Sequence, residues 1–180
     1  MTASDSVPGV LLLQEIDADA LEAWFASHGL RVVWHPVGAP IPGSFWGEPE
    51  AGLIADALHV RPDTPVQSAL HEGCHWVCLP PARREHVHTN VGGSALEECA
   101  TCYLQITVAA QLEGVGQARM LADMDRWGYS FRLGSARAWF ESDAEDARAW
   151  LRERALLSAE NVPATGPCEA VRGARGRRAR

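Results

Sequence analysis

The sequence predicts an α+β fold, in which a small sheet of about three strands is combined with several helices. Three observations support that class: a helix signal near the N-terminus, apolar runs after it that are too short for helices, and longer helical patterns with start and stop signals beyond them. With 180 residues, 47% of them hydrophobic, the chain can bury one core. We expect one domain over 1–160 and a disordered, arginine-rich tail over 161–180.

The first third of the chain predicts one helix followed by three strands. Asp17 can cap a helix that Gly29 stops, and its apolar residues recur at helical spacing. The run 30–35 is typical of a strand, and a loop rich in proline and glycine follows it. Two further short apolar runs, at 51–54 and 57–61, are close enough to form a hairpin. We therefore expect a small, mostly antiparallel sheet.

Four helical patterns follow the strands. Thr64, Pro65 and Gln67 predict the N-cap, first residue and capping box of the first of these helices. Ser94 and Glu97 offer a second capping box for a long apolar helix. The segment 130–140 is ambiguous. The four predicted helices cover about 64–79, 95–112, 116–127 and 143–157.

The first of these helices carries the pattern His-Glu-x-x-His. His71 and His75 are four residues apart, so both imidazoles project from one face and can converge on one ion. Glu72 lies about 100° further round the helix, beside the ion, where it can take a proton from bound water. The competing interpretation is that both histidines are hydrogen-bonded core residues. We interpret the pattern as a zinc site with Glu72 as general base.

A catalytic zinc needs a third protein ligand and one open position. Glu97 and Glu98, at the start of the next long helix, are both in reach if that helix folds back antiparallel. The capping box would turn Glu97 back toward the helix start and leave Glu98 for the metal.

These motifs resemble a known family. His-Glu-x-x-His followed by a helix that reads Glu97-x-x-Ala100-Thr101-x-Tyr103 is similar to the minimal gluzincins, the ImmA/IrrE-type metallopeptidases, whose second motif is Glu-x-x-Ala-Asn/Asp-x-Phe. The resemblance covers about 17–112. It implies a zincin-like core, a Zn²⁺ cofactor and peptidase activity, and its spacing favours Glu97 over Glu98 as third ligand. Thr101 departs from the family's Asn or Asp, which normally orients a ligand histidine.

The cysteines are the alternative metal ligands. Cys74 and Cys78 share the histidine face of their helix, and Cys99 and Cys102 lie on the glutamate helix. They could close a structural zinc site or, for the latter two, form a redox pair, but small buried thiols also pack helices together. We favour packing. Cys168 falls in the predicted tail.

Three other side chains could assist. His86 and His88 lie between the two metal-bearing helices, where they could donate to a developing oxyanion or simply be solvated. Tyr103 could assist too, although a core position is the simpler interpretation. The tryptophans, Trp127 among them, are interpreted as core residues.

Charge and N-terminal sequence narrow the function class. A net charge of −7 argues against a nucleic-acid surface. The rest of the chain is more acidic still, because five of the 16 basic residues lie in the last ten positions. The N-terminus has neither a signal-peptide pattern nor an apolar run long enough to span a membrane. We expect a cytoplasmic protein without membrane association.

The sequence therefore predicts a zinc metallopeptidase that acts on a peptide or protein, which would bind along the strand 58–61 as a cleft edge. The alternative is a non-catalytic zinc protein with a structural metal site and a partner-binding role. A third interpretation, a hydrolase or lyase for small molecules, would require a deep closed pocket.

Overall fold

The computed structural model describes residues 9–166. Those residues form a mixed α+β structure with seven α-helices, one short 3-10 helix and one three-stranded sheet. The α-helices are α1 (Asp19–Ser27), α2 (Val66–Cys78), α3 (Pro81–Arg84), α4 (Ala95–Ala109), α5 (Gly116–Trp127), α6 (Ala136–Ser142) and α7 (Glu145–Glu153). The strands are β1 (Arg31–Trp34), β2 (Gly52–Ile54) and β3 (Ala57–Val60), and the 3-10 helix is Leu13–Glu15.

The sheet has the strand order β1-β3-β2. The predicted hairpin is confirmed, because β2 and β3 pair antiparallel with Leu53 opposite Leu58. The expectation of a mostly antiparallel sheet is wrong, since β1 pairs parallel with β3, with Val32 opposite Leu58. The long segment between β1 and β2 permits this arrangement, because it brings the chain back past β1 before the hairpin forms.

The predicted cleft edge at 58–61 is also wrong. β3 lies in the centre of the sheet, so both of its sides are already paired. The outer side of β2 is covered as well: the Leu53 amide donates to Gly43 O at 3.4 Å, and the Thr89 amide donates to Leu53 O at 2.9 Å. A peptide therefore has no free backbone edge to pair with at β2 or β3.

The start of α2 is built differently from the predicted capping box. Pro65 is the N-cap, in an extended conformation, and no side chain caps the helix. The Thr64 hydroxyl accepts from the Arg61 amide at 2.9 Å instead. The Val66 amide donates to Leu11 O at 2.8 Å. The N-terminal segment therefore supplies the acceptor for a backbone N–H at the helix start that a capping side chain would otherwise accept from. Gln67 is thereby free for another role.

Helix α4 begins with the predicted capping box. The Glu97 amide donates to Ser94 Oγ at 3.2 Å, and the Ser94 amide donates to Glu97 Oε2 at 2.8 Å. Its contacts with α2 run in opposite order along the two helices: Gln105 meets Gln67, whereas Thr101 meets His75. The two helices therefore pack antiparallel, as the distance between them in sequence allows.

The C-terminal end of the described residues packs against α1. The Trp24 indole donates to Ala164 O at 3.1 Å, which holds 161–166 against α1. The rest of the predicted tail, 167–180, lies outside the described residues. No helix within 9–166 combines the length and apolar character needed to cross a bilayer.

Gly73 sets the distance between α2 and α1. A Cβ placed on Gly73 would lie 2.1 Å from Cζ of the fully buried Phe25, far inside van der Waals contact. The glycine inside the His-Glu-x-x-His pattern is therefore a packing residue, and it lets the metal-bearing helix approach the aromatic core.

We expect Gly73→Ala to lower the free energy of unfolding by about 1–3 kcal/mol, because overpacking against a ring exceeds the gain in helix propensity of about 1 kcal/mol. Urea denaturation measures the change. In a Phe25→Leu background the same substitution should cost less, since the ring atoms that it meets are gone. A stabilising effect of Gly73→Ala in the unmutated background would contradict the close approach.

Candidate metal centre

The two histidines of the motif converge on the same side of α2. Their Nε2 atoms lie 3.1 Å apart, and the rings meet nearly perpendicular at 83°. Both side chains are largely buried, at 15% and 16% exposure. The helix period alone produces this convergence, as the sequence predicts.

Glu98 completes the group. One carboxylate oxygen lies 3.3 Å from His71 Nε2 and the other lies 3.2 Å from His75 Nε2. Burial raises the pKa of the Glu98 carboxyl, but hydrogen bonds from the two histidines outweigh burial and hold the pKa well below its usual range. These three residues are the sole group of three or more potential metal-ligating side chains within 9–166 whose donor atoms lie within 4.8 Å of one another.

The preference for Glu97 as third ligand is corrected by this geometry in favour of the alternative, Glu98. The Glu97 carboxylate bends back to Ser94 and accepts from Arg83 Nη1 at 2.8 Å. The hydrogen bond from the Ser94 N–H lowers the pKa of Glu97. Burial opposes this effect, and the charge of Arg83 adds to the lowering. The capping box and the ion pair therefore occupy Glu97, and the next residue, about 100° further round α4, faces the histidines.

Gln105 orients the first histidine. Its Nε2 donates to the backbone Gln67 O at 3.0 Å, so its Oε1 is the atom that faces His71 Nδ1 at 3.1 Å. Because Oε1 can only accept, Nδ1 carries a proton, which leaves Nε2 as the ring nitrogen that a metal ion would bind. Gln105 is fully buried, which fixes this arrangement.

Thr101 supports the second histidine. Its hydroxyl lies 3.4 Å from His75 Nδ1, and the side chain is buried between the helices. The contact is long, but the hydroxyl faces Nδ1, whereas Glu98 faces the other ring nitrogen, Nε2. Thr101 is thus the side chain that contacts the second ring nitrogen of His75.

The three donor groups fit a divalent cation. Ligands at about 2.0–2.1 Å from a tetrahedral ion lie roughly 3.3–3.4 Å apart, and the observed separations of 3.1, 3.3 and 3.2 Å are close to that value. A positive charge among two imidazole nitrogens and a carboxylate stabilises this arrangement, and a bound metal ion would supply it. The site could therefore hold a metal ion.

Glu72 lies next to the group without joining it. It lines the same cleft as His71 and His75, and its carboxylate is outside the set of mutually close ligand atoms. Burial raises the pKa of Glu72, and the neighbouring histidines offset part of that effect. A carboxylate with a raised pKa beside a metal group is suited to both accepting and returning a proton.

The cleft above the group has two lobes, which share Trp46, His71, Glu72 and Glu98. The first lobe measures about 430 Å³ and lies between Phe45 and the loop 89–95. The second measures about 390 Å³. Trp46, 77% exposed, lines both lobes. Two residues of the metal group, His71 and Glu98, line both lobes as well.

The second lobe is formed by side chains that the sequence does not single out. Its lining includes Glu50, Gln67, Trp127 and Tyr129. Trp127, interpreted as core from the sequence, donates through its indole to Glu50 at 3.1 Å, and Tyr129 donates to Gln67 Oε1 at 2.9 Å. Burial raises the pKa of Glu50, with Trp127 opposing and Glu72 reinforcing that effect. These residues come from three separate segments, so no local pattern relates them.

The cysteines pack as expected. Cys74, Cys78 and Cys102 are buried, and the four cysteines of the described residues are all free thiols. Burial raises the pKa of each thiol, to about 12 for Cys78. Cys99 is half-buried, and Cys168 lies outside the described residues. Packing is the role that these positions support.

The other candidate residues lie away from the metal group. His86 and His88 are exposed and line neither lobe, and His88 Nδ1 lies 2.8 Å from Thr89 Oγ1. Tyr103 is 3% exposed and stacks on Phe140 with ring centroids 4.6 Å apart. The structure therefore brings neither histidine to the reacting position, and Tyr103 is a core residue.

Comparisons with known proteins identify no relative. No protein-family model matches the chain, and neither a curated protein nor a solved structure matches it.

We expect Glu98→Ala to weaken metal affinity at least about 100-fold, because it removes one of three ligand groups, whereas Glu97→Ala should change affinity little. Competition titration of Zn²⁺ with a chelator measures both. Glu97→Ala also removes a cap, so its cost of about 1 kcal/mol should appear in the free energy of unfolding instead. Retention of metal by Glu98→Ala together with its loss from Glu97→Ala would contradict the assignment.

We expect Gln105→Leu to weaken metal affinity by about 10- to 100-fold while leaving the ligands in place, because the amide that fixes the His71 tautomer is lost. The same chelator competition measures this effect. Tyr103→Phe, on the same helix but away from the metal group, is the control and should leave metal affinity unchanged. Equal affinity of Gln105→Leu and the unmutated chain would show that Gln105 does not orient the ring.

Proposed function

We propose that the protein is a zinc-dependent peptidase with a minimal gluzincin-like site. His71, His75 and Glu98 would hold the ion, and Glu72 would serve as general base. The observation that carries the proposal is the convergence of two imidazole Nε2 atoms and one carboxylate, 3.1–3.3 Å apart, beside a fourth side chain suited to proton transfer.

Zinc is the ion that this donor set favours. Two neutral imidazoles and one carboxylate form the ligand set of several zinc hydrolases, and the ligand spacing suits a tetrahedral ion. When bound, the ion would supply a Lewis acid that polarises a carbonyl and lowers the pKa of water. The open cleft on both sides of the group leaves room for water and for substrate.

Glu72 would move the protons of the reaction. It takes a proton from the attacking water, whose oxygen bonds to the scissile carbonyl carbon. It then returns that proton to the leaving amine as the C–N bond breaks. Its raised pKa favours the first step, because a more basic carboxylate accepts the proton from water more readily. The positive charge of a bound ion would favour release of that proton to the amine.

A peptide is the substrate class that the cleft shape favours. Two lobes that share Glu72 offer separate space for the residues before and after a scissile bond. A deep closed pocket, which a small-molecule hydrolase would use, is not what these lobes form. Since β2 and β3 offer no free edge, the peptide would be held by side chains and loops of the cleft.

The gluzincin likeness rests on the first motif and the order of elements. With Glu98 as ligand, the register of the second motif moves by one residue, and Thr101 and Cys102 then stand where the family has Ala and Asn or Asp. The helix, three strands, metal helix and glutamate helix keep the order of such a core.

One observation favours the alternative, a structural zinc site. Cys102 Sγ lies 3.9 Å from Glu98 Oε1, close enough for a small shift to bring a thiolate to the ion. Burial, partly offset by His71, raises the pKa of Cys102, which favours the protonated thiol and so the open site. X-ray absorption at the zinc edge separates the two: a sulfur ligand supports the structural site, and nitrogen and oxygen ligands alone support the peptidase.

We expect Glu72→Gln to keep zinc and to lose peptide hydrolysis by about 10²- to 10⁴-fold, because an amide cannot accept the proton from water. Zinc content by atomic absorption and cleavage of a mixed peptide library by mass spectrometry are the measurements.

Glu85→Gln, an exposed site outside the cleft, is the matched control and should keep both properties. Loss of zinc from Glu72→Gln to the extent seen in His71→Ala would make Glu72 a ligand or structural residue. Unchanged hydrolysis would exclude it as the base.

A further inference from the structure

Glu50 is the charged residue of the second lobe that neither metal binding nor proton transfer uses. It is half-buried, and its carboxylate accepts a hydrogen bond from the Trp127 indole at 3.1 Å within the lobe. None of the residues that line this lobe is an arginine or a lysine. Apart from His71, which the metal group uses, no basic side chain among the lining residues of this lobe therefore accompanies the Glu50 carboxylate.

The charge of Glu50 would also remain when a metal ion is bound at the site. A divalent ion would offset the charges of Glu98 and Glu72, which lie against it or beside it. The negative charge of Glu50 would remain. Within a partly buried lobe such a charge attracts a positively charged group much more strongly than it would in water.

The walls of the lobe suit the same kind of group. Three aromatic side chains, Trp46, Trp127 and Tyr129, line it around Glu50. Aromatic rings attract ammonium and guanidinium groups and pack against their alkyl chains. A carboxylate that shares a lobe with three aromatic rings is thus a chemically coherent site for an organic cation.

A second, independent observation is the side chain of Gln67. It lines the lobe, is 1% exposed, and uses Oε1 to accept from the Tyr129 hydroxyl at 2.9 Å. Its Nε2 has no hydrogen-bond partner among the described residues. A buried amide donor without a partner is costly to the fold, and a peptide carbonyl is the acceptor that would satisfy it.

We propose that the second lobe is a specificity subsite for a positively charged nitrogen of the peptide, with Glu50 as the charge partner and Gln67 as the donor to a backbone carbonyl. The proposal rests on the proposed peptidase function. The nitrogen could belong to an arginine or lysine side chain or to a free amino terminus. Each carries one positive charge, and each belongs to a residue that also has a peptide carbonyl.

Two pairs of small probes separate these sources. Acetyl-arginine amide and acetyl-citrulline amide differ only in the side-chain charge. Alanine amide and acetyl-alanine amide differ in the amino-terminal charge. Binding is measured by NMR titration or calorimetry on the zinc-loaded full chain carrying Glu72→Gln, with and without Glu50→Gln.

We expect the charged member of at least one pair to bind about 10-fold more tightly than its neutral counterpart, as a charge-assisted contact in a partly buried lobe should provide. Glu50→Gln should remove that difference. Glu113→Gln, an exposed charge in the turn after α4, should keep it. A preference within the arginine pair assigns the side chain, and one within the alanine pair assigns the amino terminus.

Equal binding within both pairs, or a preference that survives Glu50→Gln, overturns the subsite. The comparison of charged and neutral probes on the chain that retains Glu50 tests the proposal even if Glu50→Gln fails to fold. Cleavage of a peptide library by the unmutated chain without preference for cationic residues or for a free amino terminus would keep the peptidase and overturn the subsite. Charge-dependent probe binding without any cleavage would support the subsite and overturn the hydrolytic function.

Discussion

The antiparallel packing of α2 against α4 is the constraint on which the site depends. Neither helix contains a complete ligand set: α2 contributes two imidazoles and α4 contributes the carboxylate. The same packing brings Gln105 and Thr101 to the opposite sides of the two rings, so ligand geometry and ligand tautomer are fixed by one interface. Gly73 positions α2 from its other side, because its missing side chain lets Phe25 of α1 pack directly on α2. A shift of one residue in the register would separate the rings from both kinds of partner.

The charge distribution around the histidines follows from that interface. Their Nδ1 atoms face a neutral amide and a neutral hydroxyl, which orient the rings without adding negative charge to the core. A buried carboxylate in either place would need its own compensation. The negative charge is placed instead on Glu98, which is half exposed at 52% and remains ionised because the histidines lower its pKa more than burial raises it. The site thus combines a neutral buried side with a charged side that faces the cleft.

Local sequence patterns predicted the parts of this structure that local physics determines. The spacing of His71 and His75 implied their convergence, and Ser94 with Glu97 implied the cap of α4. The same cap was evidence for Glu98, and it proved more informative than the family-like spacing that favoured Glu97, because a hydrogen bond to the helix start and an ion pair with Arg83 act on that one side chain. Contacts that depend on the register between distant segments could not be predicted. The parallel pairing of β1 with β3 belongs to that class, and so does the position of Gln105.

The metal group and the cleft are determined by different parts of the chain. Two buried helices hold the ligands, whereas the lobes are lined largely by connections: the loop before β2 carries Trp46 and Glu50, and the end of α5 carries Trp127 and Tyr129. Helices restrain the ligands through many packed side chains, while a loop can change sequence at little cost to the core. Substitutions in these loops can therefore alter which substrate the cleft accepts without moving a ligand atom. This separation explains why a helical motif predicts the candidate metal group from sequence, whereas the proposed subsite depends on Glu50, Gln67 and aromatic rings that only the fold brings into one lobe.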